Sequence, residues 1–186
     1  MDFFNIKAAA IELIVDENLL TTELLSIPND QWDAGYDQRS GCSWQSIFLR
    51  INNTQNFTDF KSAKVLQHDE WYWNNSFNIP YIKKLVESLP VVNIGMIRAF
   101  ILEGSFPMHT DTNNTTPDDL SFKLGLTIAA RLDDPMILDG VEVFEKNILF
   151  NDAVPHGFPN AKGKQISIRI FGDFDYDKFK VLRIYE

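Results

Sequence analysis

A single cysteine, Cys42, is all the chain contains, so no disulfide can close within it and a reducing compartment is expected. No nucleophile signature surrounds Cys42, which reads as a small buried residue. Basic residues are scarce as well: 17 Lys and Arg stand against 26 Asp and Glu, for a formal net charge of −9. The longest basic block is Lys83-Lys84, too little for the counterion release that drives nucleic-acid binding, so no nucleic-acid partner is expected. Apolar runs of membrane-spanning length are missing, and Met1-Asp2-Phe3-Phe4 carries no basic leader region. No membrane partner is expected, and the expected location is cytoplasmic. The hydrophobic fraction of 45% over 186 residues is enough for one core, so residues 1–186 are expected to form a single domain.

The character of the chain changes near residue 90. From Ile6 to Ile27 apolar residues recur at roughly helical spacing and Pro28 closes the run, which predicts one or two short helices. Asn78 and Pro80 open a second helical pattern through Ile82, Leu85, Val86 and Leu89, stopped by Pro90. Between them Gln45 to Ile51 and Ala63 to Gln67 read as strands. After residue 90 the strands predicted are Val91 to Leu102, Ser121 to Leu132, Gly140 to Glu145, Ile148 to Asn151 and Gln165 to Phe171, with residues 176–186 a final strand or tail. Helices followed by short strands predict an α+β fold: a double-stranded β-helix (a cupin-like jelly roll), carried by residues 91–175, with the helices of residues 1–90 packed on one sheet.

Histidine is rare too, with three in the chain, and two of them carry the chemistry. His109 and Asp111 lie two apart, so on an extended backbone both side chains leave one face and can reach one ion. His156 lies far enough downstream for intervening strands to return it to the same place. Two imidazoles and a carboxylate on one face of an octahedron form the ligand set of Fe(II) oxygenases. Arg169 sits in a strand whose Ile166, Ile168 and Ile170 form the opposite, core-facing side, making it an inward charge that calls for a partner. Ser167 shares its face. His68 reads as a solvated turn residue, Asp118-Asp119 and Asp133-Asp134 as solvated turns, and Trp71, Tyr72, Trp73 and Phe77 chiefly as core.

The second half of the chain resembles the Fe(II)/2-oxoglutarate-dependent oxygenases, and within them the aspartyl/asparaginyl β-hydroxylase and bacterial proline hydroxylase branch. The motifs are Leu85-Val86-Glu87-Ser88-Leu89-Pro90, then Ile97-Arg98-Ala99-Phe100-Ile101-Leu102-Glu103-Gly104, then His109-Thr110-Asp111. They continue with Asp152, His156 and Asn160, then Arg169-Ile170-Phe171-Gly172-Asp173-Phe174-Asp175. The branch usually carries an Arg-x-His pair on the strand after the first ligands; here Ser121-Phe122-Lys123-Leu124-Gly125-Leu126 stands there, so that either Lys123 is the substitute or the contact is lost.

The resemblance implies a hydroxylase with Fe(II) held by His109, Asp111 and His156, and with O2 and 2-oxoglutarate as cosubstrates. Arg169 would pair the distal carboxylate of 2-oxoglutarate, helped by Ser167 and Lys123, since a buried carboxylate needs a fixed counter-ion and arginine offers a planar fork. Arg98 reads equally as a ligand contact or a structural ion pair, while Asp152 and Asn160 are expected to orient His156. A small-molecule or peptidyl substrate, an amino acid free or in a peptide, is expected, selected by the Thr112 to Leu120 loop and the Trp71 to Asn78 segment, Asn113 and Trp73 in particular. A cupin-like metalloprotein that does not use 2-oxoglutarate and a non-catalytic binding module of the same fold are the alternatives.

Overall fold

The computed structural model describes residues 6–37, 42–52, 71–111 and 124–186. Lys123, His68, Asn113, the Ala63 to Gln67 strand and the Thr112 to Leu120 loop named above lie outside them.

The described chain is mostly antiparallel sheet with two helices. Its strands are β1 (Ala8–Ile11), β2 (Asp33–Asp37), β3 (Cys42–Asn52), β4 (Trp71–Trp73), β5 (Val91–Glu103), β6 (Phe106–His109), β7 (Leu124–Leu132), β8 (Met136–Leu138), β9 (Val141–Val143), β10 (Asn147–Asn151), β11 (His156–Phe158), β12 (Lys164–Phe174) and β13 (Val181–Tyr185). The helices are α1 (Glu17–Ser26) and α2 (Pro80–Glu87). A nine-stranded sheet runs β13-β1-β10-β7-β12-β5-β3-β2, with β4 also paired to β3, and a four-stranded sheet runs β6-β11-β8-β9. Among the described residues, no helix is long and apolar enough to cross a membrane.

The period-two alternation of the long strands gives the large sheet two chemically different faces. Ile97, Ala99 and Ile101 of β5, Leu126 and Ile128 of β7, and Ile166, Ile168 and Ile170 of β12 share one buried cluster with Leu20 and Leu24 of α1 and Ile82, Leu85 and Val86 of α2. The opposite face contributes Ala8, Ala10, Ile148 and Phe150 to a second cluster with Met136, Leu138 and Val143 of the small sheet. Residues of that second face on β3, β5, β7 and β12 are therefore free to line a cavity rather than fill a core.

Two local expectations are corrected. Ile6 to Ile27 is not all helix: Ala8–Ile11 is a strand between β13 and β10, buried at all four positions. A strand covered on both faces has no alternation to show, and three alanines favour helix by intrinsic propensity, so tertiary pairing overrides the local signal. Nor does Asn78 cap α2. The N-cap position is Ile79, without a side-chain bond, and the Glu23 carboxylate of α1 instead accepts the N–H groups of Tyr81 (2.7 Å) and Ile82 (2.9 Å). A carboxylate at the positive end of a helix satisfies donors that have no partner within it.

Candidate metal centre

The strand order of the small sheet brings the histidines together. β11 pairs with β6 so that His156 and His109 are direct cross-strand partners, their ring centroids 4.3 Å apart. Asp111 lies just beyond the end of β6, where its N–H donates to the Asp152 carbonyl at 2.9 Å. Its carboxylate faces both rings: Oδ1 is 3.6 Å from His109 Nε2, and Oδ2 is 3.9 Å from His156 Nε2. One ligand atom from each of the three residues lies within 4.8 Å of the others.

Both rings are oriented by the backbone. His109 Nδ1 is 3.1 Å from the Pro107 carbonyl, and His156 Nδ1 is 2.9 Å from the Val154 carbonyl. A carbonyl only accepts, so Nδ1 carries a proton in each ring and Nε2 is the ring atom turned toward Asp111. Burial, followed by the positive charge of Arg169, pushes His156 down to about 4, so its imidazole is neutral at physiological pH. Neutral imidazoles and an ionised carboxylate are the protonation states in which a divalent cation is bound. Bonds of about 2.1 Å to one ion require donors within roughly 4.2 Å, so small side-chain adjustments suffice for these residues to hold it.

The three groups open onto a cavity of about 350 Å³ between the two sheets, and Arg169 lies on its wall. Arg169 is buried. Its Nη1 donates to Thr127 Oγ1 at 3.1 Å and its Nη2 to the Phe150 carbonyl at 3.4 Å, while Nη2 is 3.9 Å from Asp152 Oδ2. The guanidinium also sits over the Phe150 ring, 3.6 Å from its centroid, and desolvation pulls its pKa below the ordinary value. Its Nε is buried and has no hydrogen-bond partner among the described residues. Ser167 lines the same cavity from the same strand face. Gly125 and Thr127 belong to that face of β7, but Lys123 lies outside the described residues.

Other expected roles fall differently. Asp152 is fully buried; its backbone carbonyl accepts the Asp111 N–H and its carboxylate stands 3.9 Å from Arg169, while the Val154 carbonyl holds the His156 ring. Asn160 is exposed. Asp133 and Asp134 are not merely solvated: Asp134 Oδ2 accepts the N–H groups of Lys162 (3.0 Å) and Gly163 (2.7 Å), and Asp133 Oδ2 accepts that of Lys164 (2.9 Å). They fix the turn that feeds β12, and with it the strand carrying Arg169. Trp73 is not on the cavity; it stacks with Arg50 and Lys83 and packs against the helix-side core, while Trp71 is buried with Met96 and Phe171. The tryptophan lining the cavity is Trp44 of β3, accompanied by Phe100, Phe106 and Phe150. Sequence reasoning read β3 as a strand from Gln45 and passed over Trp44, although it shares the two-residue period of Ser46 and Phe48.

No protein-family model matches the sequence, and no curated protein matches it either. Among solved structures the chain is similar to a Pseudomonas putida prolyl-4-hydroxylase, at 14% identity over 93% of this chain and 95% of that one, with a TM-score of 0.49. It is also similar to a Shewanella oneidensis protein bearing the name "Putative oxygenase", at 13% identity over 92% of this chain and 83% of that one, with a TM-score of 0.43.

Proposed function

We propose that the protein is an Fe(II)- and 2-oxoglutarate-dependent dioxygenase that hydroxylates a small polar substrate, an amino acid free or in a peptide, and that its two sheets form a double-stranded β-helix. The observation carrying this reading is the joint position of two groups on one cavity: the His109, Asp111, His156 cluster and the buried guanidinium of Arg169. Two histidines and one carboxylate are the donor set that leaves coordination positions open on non-haem iron. Metal and cosubstrate together supply the oxidative chemistry when bound. The chain's own work is positional. The Pro107 and Val154 carbonyls fix the imidazoles, the Asp152 carbonyl fixes Asp111, and Arg169 offers a desolvated carboxylate a two-pronged partner. Phe100, Phe106 and Phe150 line the cavity with apolar surface and limit access of water to the reacting groups.

The test is a calorimetric titration of the purified protein with Fe(II) or Mn(II) under nitrogen, then with 2-oxoglutarate, followed by assay of succinate formation in air. His109→Ala and His156→Ala are expected to lose the metal. Arg169→Ala is expected to keep it and to bind 2-oxoglutarate more than about tenfold more weakly. Metal binding without 2-oxoglutarate binding would select a cupin-like metalloprotein instead, and binding of neither would leave a non-catalytic module.

A further inference from the structure

The cavity changes polarity along its strands. One face of β12 steps from Arg169 to Ser167 to Gln165; their register partners on β5 are Arg98, Phe100 and Leu102, and β3 continues the last two rows with Ser46 and Trp44. Residues two apart on a strand are separated by about 6.6 Å, so the row of Leu102 and Trp44 lies about 13 Å from the row that holds both arginines. The small sheet repeats the gradient. His109 pairs with His156 at one end of β6, and Phe106 pairs with Phe158 at the other. The Gly104 turn, with a φ of 84°, leads from the end of β5 that carries Leu102 directly to Phe106, so the apolar ends of the two sheets coincide.

The metal cluster stands between the two ends. On the arginine side Phe150 bridges the groups, its ring 3.6 Å from the Arg169 guanidinium and 5.0 Å from the His156 ring. On the other side the Phe106 ring meets His109 edge to face at 4.9 Å. Among the described residues, the side chains lining this far end are Trp44, Leu102, Phe106 and Phe158. A polar side chain placed among them would give up its hydrogen bonds to water and find none in return, whereas an apolar one gains by leaving water. At about 350 Å³ the cavity is small for a ligand pocket, for which about 300–1,000 Å³ is usual, so what shares it with a cosubstrate is one side chain rather than a length of peptide.

We propose that this apolar end receives the side chain of the substrate, that the side chain is aliphatic or aromatic, and that Trp44 is the residue that selects it. From the Arg169 side a substrate would meet the cosubstrate; from the Trp44 side it brings a C–H bond up beside His109. Phe106 packs on one metal ligand and Phe158 shares a strand with another, whereas Trp44 belongs to the large sheet and can shape the pocket without touching the cluster. The proposal rests on the reading of Arg169 as the cosubstrate's seat and narrows the substrate to an amino acid, free or in a peptide, that is polar in its backbone alone.

The experiment uses full-length protein under nitrogen, metal-free, loaded with Mn(II), and loaded with Mn(II) and 2-oxoglutarate. The probes are the pairs L-leucine and L-asparagine, L-valine and L-threonine, and L-phenylalanine and L-tyrosine, each also as its N-acetyl carboxamide to stand for a residue within a peptide. Ligand-observed NMR gives the affinities and the broadening of each probe proton by Mn(II). In at least one pair the apolar member is expected to bind about tenfold or more tightly than its polar counterpart. Its side-chain protons are expected to broaden more than its α-proton. Trp44→Ala should reduce the preference to about threefold or less, and Trp44→Phe should retain most of it. Leu102→Ala, on the neighbouring strand, should also lower it, which keeps the proposal open to refutation if Trp44→Ala does not fold. Equal or tighter binding of the polar members, a preference unchanged in Trp44→Ala or Leu102→Ala, stronger broadening of the α-proton, or no binding by any probe at millimolar concentration overturns the proposal. Failure of the wild type to bind Mn(II) or 2-oxoglutarate defeats the oxygenase reading separately, because the pairs are also titrated on the metal-free protein.

Discussion

Gly125 of β7 is the floor on which the Arg169 side chain lies: a Cβ added there would meet Arg169 Nε at 2.7 Å and Nη2 at 2.8 Å. Arg169 is also held by Thr127 and the Phe150 ring, so its head has little room to give way. Gly125→Ala is therefore expected to displace the guanidinium. Overpacking of this kind costs about 1–3 kcal/mol of stability. Calorimetry should show 2-oxoglutarate affinity falling about tenfold, with metal affinity held to within a few-fold. An unchanged cosubstrate titration would show that Arg169 can bind from a shifted position.

Gly157 plays a comparable part for the metal cluster. A Cβ at this position would lie 2.6 Å from the Pro107 carbonyl oxygen and 3.1 Å from Met108 Cα, across the β11–β6 pairing that sets His156 beside His109. Both neighbours are backbone, so the strands must part. Gly157→Ala is expected to weaken Mn(II) binding by about tenfold or more, because the two Nε2 atoms depend on that register. Titration by Mn(II) relaxation or calorimetry checks it.

The contrast between these glycines and the ligands shows what was legible in the sequence. His109, Asp111 and the alternating Ile166, Ile168, Ile170 around Arg169 could be read because a two-residue period is written along the chain itself. Gly125 and Gly157 could not be assigned in the same way, since each matters through what another strand places against it. The strands Met136–Leu138 and His156–Phe158 of the small sheet are three residues long and carry no periodic signal to read, whereas Val141–Val143 of the same sheet falls within the predicted Gly140 to Glu145 strand. The Ala8–Ile11 strand lies inside a segment whose spacing predicts helix, because burial on both faces erases the strand pattern.

Glu23 joins the two helices by accepting the N–H groups of Tyr81 and Ile82. Glu23→Ala removes a charged acceptor from two helix N-terminal donors. A loss of about 1–2 kcal/mol in unfolding free energy is expected, read from the midpoint of a urea titration with unchanged slope. Metal affinity should not change, as neither helix contributes a side chain to the cavity.

The turn before β12 carries a pH dependence. The Arg131 guanidinium and the Lys164 N–H hold the Asp133 carboxyl down to about 2, below its ordinary range. A folded-state pKa below the unfolded value means that the unfolded chain binds more protons as the solution is acidified, so this contribution is fully present above about pH 4 and is lost as the pH falls toward 2. Asp133→Asn is expected to flatten the melting temperature against pH in that window, measured by thermal unfolding. A profile parallel to that of the wild type would show that the Asp133 contacts are no stronger in the folded chain than in the unfolded one.

All three candidate metal ligands belong to the small sheet or its immediate continuation, whereas Arg169, Ser167 and Thr127 belong to the large one. An ion alone would therefore tie together strands within one layer, and the layers would become fastened to each other only when a dianion spans from the ion to Arg169. Ligand-linked stabilisation grows with concentration over dissociation constant, about 2.7 kcal/mol at a hundredfold excess. In hydrogen exchange, metal should slow the amides of β6 and β11 first, and 2-oxoglutarate should then slow those of β7 and β12. The order of binding would be recorded as an order of protection.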